Sequence, residues 1–171
     1  MDEPELESRR VIFGEIRETP GIHFRELLRR HEYAQGTIQY HLRWLEDEGL
    51  VESSDDGNFT RYYPAHSFEA ADKSTMNALR RTYSRRIIAL LASEERLSTA
   101  ALSERVGKSR STVSWHLSRL HEEEIVEKER DGRTVLYSLR DPDQVMGLYA
   151  TYQASFRDRL LDKVLDLWDV Y

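Results

Sequence analysis

The chain has 171 residues, of which 33% are charged and 39% hydrophobic, and its net charge is −6. This length allows one large domain or two small ones. The absence of cysteine excludes disulfides and thiolate metal ligands. No run of about 18 or more apolar residues predicts a membrane span, and the acidic segment MDEPELESRR lacks the apolar core of a signal peptide. We therefore expect a cytoplasmic protein without membrane attachment.

The sequence repeats itself at a constant offset of 75 residues. The segment GTIQYHLRWLEDEGLVE at 36–52 returns as STVSWHLSRLHEEEIVE at 111–127, and the match extends without a gap from about residue 11 to residue 64. Apolar positions coincide as well, for example Ile12 with Ile87 and Leu27 with Leu102. A gapless match through loops and apolar positions predicts two domains of one fold.

The first predicted domain covers residues 1–66. VIFGEIRE and IHFRELLRRHE have the apolar spacing of two helices, and AQGTIQYHLRWLEDEGL that of a third. VESSDDGNFTRYYP follows, with the dipeptide DG between two strand-like runs, which predicts a β-hairpin. The predicted order of helix, helix, helix and hairpin is that of a winged helix-turn-helix domain.

Residues 67–84 form the predicted linker. They contain no Gly- or Pro-rich stretch, and from about Phe68 the apolar spacing predicts a helix that runs through Met76, Leu79 and Tyr83 into the second domain. A helical link would hold two domains at a fixed spacing. The arginines of this region form either a solvated face or a phosphate-facing stripe: Arg80, Arg81, Arg85 and Arg86.

The second predicted domain covers residues 85–141 and repeats the same order. SRRIIALLASEER is the first predicted helix, and the second begins after an N-cap at Ser98 and ends at Gly107. The third, within KSRSTVSWHLSRLHEEEI, is capped by Ser109 or Ser111, and VEKERDGRTVLYSL forms the hairpin.

Residues 142–171 predict a C-terminal amphipathic helix that opens at Pro142. This apolar stripe is longer than one winged-helix domain can cover, so it packs either on the chain's own domains or on another chain. Its members recur at spacings of three and four: Val145, Leu148, Tyr149, Tyr152, Phe156, Leu160, Val164, Leu167 and Trp168.

The motif T-[IV]-x-x-H-L-x-x-L, followed by a charged hairpin, resembles the third helix and wing of ArsR-like and MarR-like transcriptional regulators. Gly49 ends this helix in the first copy, whereas Glu124 occupies the same position in the second. Two such domains in one acidic chain resemble the tandem winged-helix regulators of archaea. The resemblance implies a mainly α fold with small β-hairpin wings, two winged helix-turn-helix domains in tandem plus a C-terminal helix, and a homodimer formed through terminal helices.

In such a domain the third helix enters the major groove and the wing meets the backbone or minor groove. Small hydroxyls and arginine suit this surface because they donate hydrogen bonds to phosphates and guanine. In the second domain the candidate DNA-binding residues of the helix are Ser109, Arg110, Ser111, Thr112, Ser114, Trp115 and Arg119. Those of the wing are Lys128, Arg130 and Arg133.

The first domain has a more acidic candidate surface. Residues 1–66 carry 8 basic and 14 acidic side chains, whereas residues 85–141 carry 11 and 10. We expect Asp55 and Asp56 in the first hairpin to repel a phosphate backbone. The candidate DNA-binding residues of this domain are Gln35, Thr37, Gln39, Tyr40, Arg43 and Arg61.

The sequence thus predicts a sequence-specific, double-stranded-DNA-binding transcriptional regulator, more plausibly a repressor than an activator. Two alternatives stay open: a protein-interaction scaffold of the condensin-accessory type and an architectural chromatin protein. An effector or a protein partner is left undefined. His41 and His116 occupy the same position in the two copies, which favours a role in the fold or in a backbone contact over metal binding. We expect no cofactor, no metal and no enzymatic activity, because no phosphate loop, catalytic pair or zinc-ligand spacing occurs.

Overall fold

The computed structural model describes residues 3–156, which fall into two compact units. The first extends to Lys73 and the second begins at Ser74. This division lies inside the segment 67–84 predicted as a linker.

The first unit has the element order of a winged helix. It consists of α1 (Glu3–Glu18), β1 (Ile22–His23), α2 (Phe24–Arg30), α3 (Gln35–Asp47), β2 (Val51–Asp55) and β3 (Thr60–Pro64). The predicted hairpin is joined by β1, which gives an antiparallel sheet of order β1-β3-β2 with Ile22 opposite Tyr62. The additional strand has two residues, too few for an alternating pattern to reveal.

The second unit repeats this arrangement. Helix α4 (Ala70–Arg80) spans the division, and α5 (Thr82–Ser93), β4 (Leu97–Ser98), α6 (Thr99–Val106), α7 (Arg110–Glu122), β5 (Val126–Asp131), β6 (Thr134–Leu139) and α8 (Pro142–Phe156) follow. Its sheet has the order β4-β6-β5. The fold class predicted from the sequence, mainly α with two winged helices in tandem, is therefore confirmed.

The same eight positions form the core of each unit. In the first unit they are Ile12, Ile16, Ile22, Leu27, Ile38, Leu42, Leu45 and Val51. At an offset of 75 residues the second unit buries Ile87, Leu91, Leu97, Leu102, Val113, Leu117, Leu120 and Val126. Burial of these side chains drives the packing of three helices on each sheet.

The predicted continuous helix from residue 68 into the second domain is wrong at one point. Arg81 has an extended backbone, with φ −85° and ψ 116°, and separates α4 from α5. Its guanidinium binds the carboxylate of Glu123, with Nη1 2.9 Å from Oε1. The apolar pattern continues across the break, because Leu79 and Ile87 are both buried, and periodicity alone therefore did not reveal it.

The arginines of this region are largely committed to contacts within the second unit. Arg80 and Arg85 donate to the backbone carbonyls of Ser155 and Phe156, each at 3.1 Å. Arg86 is exposed. The cluster is therefore neither a purely solvated face nor a continuous phosphate-facing stripe.

The described part of the C-terminal helix packs within the second unit. Val145 and Phe156 are buried, and the carboxylate of Asp141 caps the helix by accepting from the amide of Gln144 at 2.9 Å. The later members of the predicted stripe lie outside the described residues: Leu160, Val164, Leu167 and Trp168. Among the helices in 3–156, none combines the length and apolar character that a bilayer crossing requires.

The third helix of each unit ends in a left-handed residue. Gly49 has φ +66° and Glu124 has φ +58°, and the following amides, of Leu50 and Ile125, both donate at 2.9 Å to a carbonyl five residues earlier. Glycine adopts this conformation without strain, whereas a residue with a β-carbon pays about 1–2 kcal/mol.

Replacing Glu124 with glycine should therefore stabilise the second domain. We expect a gain of about 0.5–1 kcal/mol, because glycine's greater freedom in the unfolded chain offsets part of the relieved strain. Urea unfolding measures this change. In the matched control, Gly49→Ala should destabilise the first domain by about 1 kcal/mol. A loss of stability in Glu124→Gly would mean that the ion pair of Glu124 with Arg140 outweighs the strain.

Candidate nucleic-acid interface

Helix α7 presents one polar stripe to the surface of the second unit. Ser109 caps it, its Oγ accepting from the amide of Thr112 at 3.2 Å, as predicted. Val113, Leu117 and Leu120 are buried. The residues at spacings of three and four on the opposite face are therefore exposed: Ser111, Ser114, Trp115 and Ser118.

Four exposed cations lie at the start of α7 and on the second wing. Arg110 at the start of α7 and the wing residues Lys128, Arg130 and Arg133 are all exposed. Within residues 3–156, none of them has a carboxylate oxygen within 4.0 Å. Other arginines of the unit are paired with glutamates, for example Arg96 with Glu129. These four cations are therefore available to an anion, although the wing also exposes Glu127, Glu129 and Asp131.

Arg119 differs from these four cations because it has an acidic partner. The sequence predicts it among the DNA-binding residues, but it is half-buried and its Nε donates to Glu123 at 3.1 Å. The same glutamate accepts from Arg81. Arg119 therefore holds the end of α7 in place and shares one carboxylate with Arg81.

His116 belongs to α7, the recognition helix of the second unit, and its side chain contacts α5. Its Nδ1 is 3.2 Å from the hydroxyl of Ser84, which is fully buried. Burial lowers the pKa of His116, and Arg81 and Arg119 lower it further. The imidazole is therefore neutral near pH 7 and suited to a structural hydrogen bond.

The first unit presents the corresponding stripe on α3. Gly36, Gln39, Tyr40 and Arg43 are exposed, as is the predicted residue Gln35, whereas Thr37 is half-buried. Ala34 occupies the N-cap and its side chain makes no capping hydrogen bond. Arg43 has no ion pair within the part of the chain that the structure describes.

Arg61, in the first wing, also has an acidic partner. It was predicted to contact DNA, but its side chain is only 7% exposed and lies in an ion pair with Asp56 at 2.5 Å. Its Nη1 also donates to the carbonyl of Gly21 at 2.9 Å. The residue therefore joins the wing to the loop before β1, and little of its side chain is exposed to a ligand.

The first wing exposes less negative charge than its sequence predicts. The carboxylate of Asp56 is 3% exposed and accepts from the amides of Asn58 and Phe59, at 2.9 and 2.8 Å, besides Arg61. Burial raises the pKa of Asp56, but these hydrogen bonds and the charge of Arg61 lower it more, and it lies below its ordinary value. Only Asp55 of the pair is exposed.

Few features of the sequence predict these structural roles of Arg61 and Asp56. An aspartate before glycine in a turn is typical of side-chain to backbone bonding, but the partnership with Arg61 depends on strand register. Among the described residues, no group of three or more histidine, aspartate or glutamate side chains could hold a metal ion.

The two units define the class of this protein: it has two winged helix-turn-helix domains in tandem. Comparison with known families supports each half separately. Residues 6–76 match a family model described as an N-terminal HTH domain. Residues 80–127 match a model described as winged helix-turn-helix DNA-binding.

The chain is similar to several regulators. It is 29% identical over 135 residues to an uncharacterised HTH-type transcriptional regulator of Methanocaldococcus jannaschii, which covers 79% of this chain and 34% of that protein. The chain thus spans about a third of the length of this relative.

Two solved structures are similar to parts of the chain. The crystal structure of NolR from Sinorhizobium fredii is 30% identical, with a TM-score of 0.42, over 47% of this chain and 78% of that one. A solution structure from Mycobacterium bovis is described as the homodimeric DNA-binding domain of a possible ArsR-family regulator. It is 27% identical, with a TM-score of 0.43, over 56% of this chain and 82% of that one.

Proposed function

We propose that this chain is a sequence-specific, double-stranded-DNA-binding transcriptional repressor that acts as a homodimer in the cytoplasm. The observation that carries the proposal is a set of exposed cations around the second recognition helix that have no ion pair with any described residue. Arg110 lies at its start, and Lys128, Arg130 and Arg133 lie on its wing. Phosphate contacts from such cations supply most of the affinity of DNA-binding proteins.

A contrast with other arginines of the unit supports this reading. Arg81, Arg105 and Arg140 each pair with a glutamate, whereas the four cations at the start of α7 and on the wing have no such pair among the described residues. Repression follows if a bound chain covers a promoter and excludes other proteins from it.

The experiment is a titration of the full chain against a duplex at several salt concentrations. Binding that depends on phosphate contacts falls steeply with salt, and log K is roughly linear in log salt. A flat response would contradict DNA binding and favour the protein-scaffold alternative. Equal affinity for all sequences would favour an architectural protein instead, and genome-wide mapping of bound sites separates that case from a regulator.

The proposal of a homodimer is argued from the sequence of the C-terminal residues. The segment 157–171 contains Leu160, Val164, Leu167 and Trp168 at spacings of three and four, while the part of the stripe before it packs within the second unit. We propose that the later part joins two chains.

A variant that lacks residues 157–171 should be monomeric by analytical ultracentrifugation. It should also bind DNA more weakly, because a dimer brings two sites to one duplex at high effective concentration. The cut after Phe156 retains the buried residues of α8, so the second domain keeps its core. Leu160→Asp with Val164→Asp in the full chain provides a matched test without truncation. If both variants keep the oligomeric state of the full chain, the segment packs within its own chain instead.

A further inference from the structure

Each recognition helix carries one exposed aromatic side chain at the same position. Trp115 is 57% exposed and Tyr40 is 53% exposed, and they correspond at the offset of 75 residues. Exposure of a large aromatic ring to water is unfavourable. Its occurrence in both copies, on the face opposite the core, indicates that the ring meets an apolar group on a ligand.

The indole of Trp115 differs in size and polarity from the other exposed side chains of its stripe. Its neighbours on the exposed stripe of α7 are Ser111, Ser114 and Ser118, whose short side chains allow close approach to a groove surface. The ring therefore protrudes from a surface of small hydroxyls and is the large apolar group on that stripe.

The ring is also held in place by its own helix. Its edge packs against the imidazole of His116, with centroids 4.8 Å apart and planes at 83°. The guanidinium of Arg119 lies 5.9 Å from its centroid. Both partners are themselves anchored, His116 by Ser84 and Arg119 by Glu123. In the first unit, the ring of Tyr40 contacts that of His41 in a tilted arrangement, with centroids 5.3 Å apart and planes at 59°.

We infer that Trp115 and Tyr40 read the methyl group of thymine in the major groove. This inference rests on the proposed DNA-binding function and names the base chemistry that each helix recognises. The thymine methyl is the apolar group that base edges present in that groove. The bound sequence therefore has an A·T pair at the position that each ring covers. The repeated histidine supports the ring and needs no metal to explain it.

The test replaces thymine with deoxyuridine, which keeps every hydrogen-bonding group and lacks only the methyl. The parent duplex is the one that the full chain selects most strongly from a random pool. We expect replacement at one position of the half-site that each chain of the proposed dimer covers to weaken binding about fourfold per half-site, the factor for burying one methyl-sized group. A second position in the half-site should respond in the same way.

Variants assign the two positions to the two rings. Trp115→Ala should bind thymine and deoxyuridine equally at one position and keep the discrimination at the other, and Tyr40→Ala should do the reverse. Trp115→Phe should retain discrimination, as should Ser118→Ala, the matched control on the same stripe. Deoxyuridine duplexes that bind as tightly as the parent would overturn the inference and leave the proposed function intact. The absence of salt-dependent binding to any duplex would instead overturn both.

Discussion

Arg110→Ala should weaken binding to the selected duplex by about 1–3 kcal/mol and relax the base preference at one position. Arg110 is exposed at the first turn of α7 and has no carboxylate partner among residues 3–156. In a bidentate contact with guanine, its loss leaves the base edge without its donors. The measurement is a titration of the variant against the selected duplex and a scrambled one, at fixed salt.

Arg133→Ala should behave differently. Arg133 lies in the turn of the second wing, where a phosphate contact carries no sequence information. The variant should weaken binding to both duplexes evenly and lower the salt slope by about one. Arg140→Ala is the matched control, because Arg140 is exposed but paired with Glu124, and we expect little change.

The same titration ranks the two domains. We expect the second to supply most of the affinity and the first to add selectivity, through Gln39 with adenine and Arg43 with phosphate. Severe losses in Gln39→Ala and Arg43→Ala, with Arg110→Ala and Arg133→Ala unaffected, would reverse this ranking.

The fold was predictable because the pattern of core residues occurs twice in the sequence. Eight buried positions recur at one offset, and each copy corrects ambiguity in the other. Local chemistry also fixed several boundaries, such as the Ser109 cap and the opening of α8 at Pro142. The break at Arg81 was not predictable, because apolar side chains continue at helical spacing on both sides of it.

The candidate surface was predictable only in part. Exposure follows from helical periodicity, and so the serines and Trp115 of α7 lie where the pattern indicates. Whether each charged side chain is paired does not follow from helical periodicity. Whether an arginine is available depends on which carboxylate the tertiary fold brings to it, as Glu123 meets both Arg81 and Arg119. Sequence spacing revealed neither this pairing nor that of Arg61 with Asp56.

Arg61→Ala should destabilise the first domain by about 3 kcal/mol, since removing one member of a buried ion pair leaves the other charge uncompensated. Asp56 is 3% exposed, and the carbonyl of Gly21 loses a donor as well. The double variant Arg61→Ala with Asp56→Asn should recover part of this loss, because no buried charge remains. Trp44 is the tryptophan of the first unit, and its indole resonance, followed during urea unfolding, reports that domain.

Acid should weaken the same pair. The pKa of Asp56 is lower in the folded chain than its ordinary value, so its stabilising contribution is complete above the unfolded pKa, about 3.9. The contribution is lost as pH falls through the lower folded value. Asp56→Asn should remove this acid dependence, whereas Asp55→Asn, at an exposed position, should leave it. If Arg61→Ala instead keeps full stability but loses DNA affinity, the guanidinium contacts DNA after all, and the first wing belongs to the binding surface.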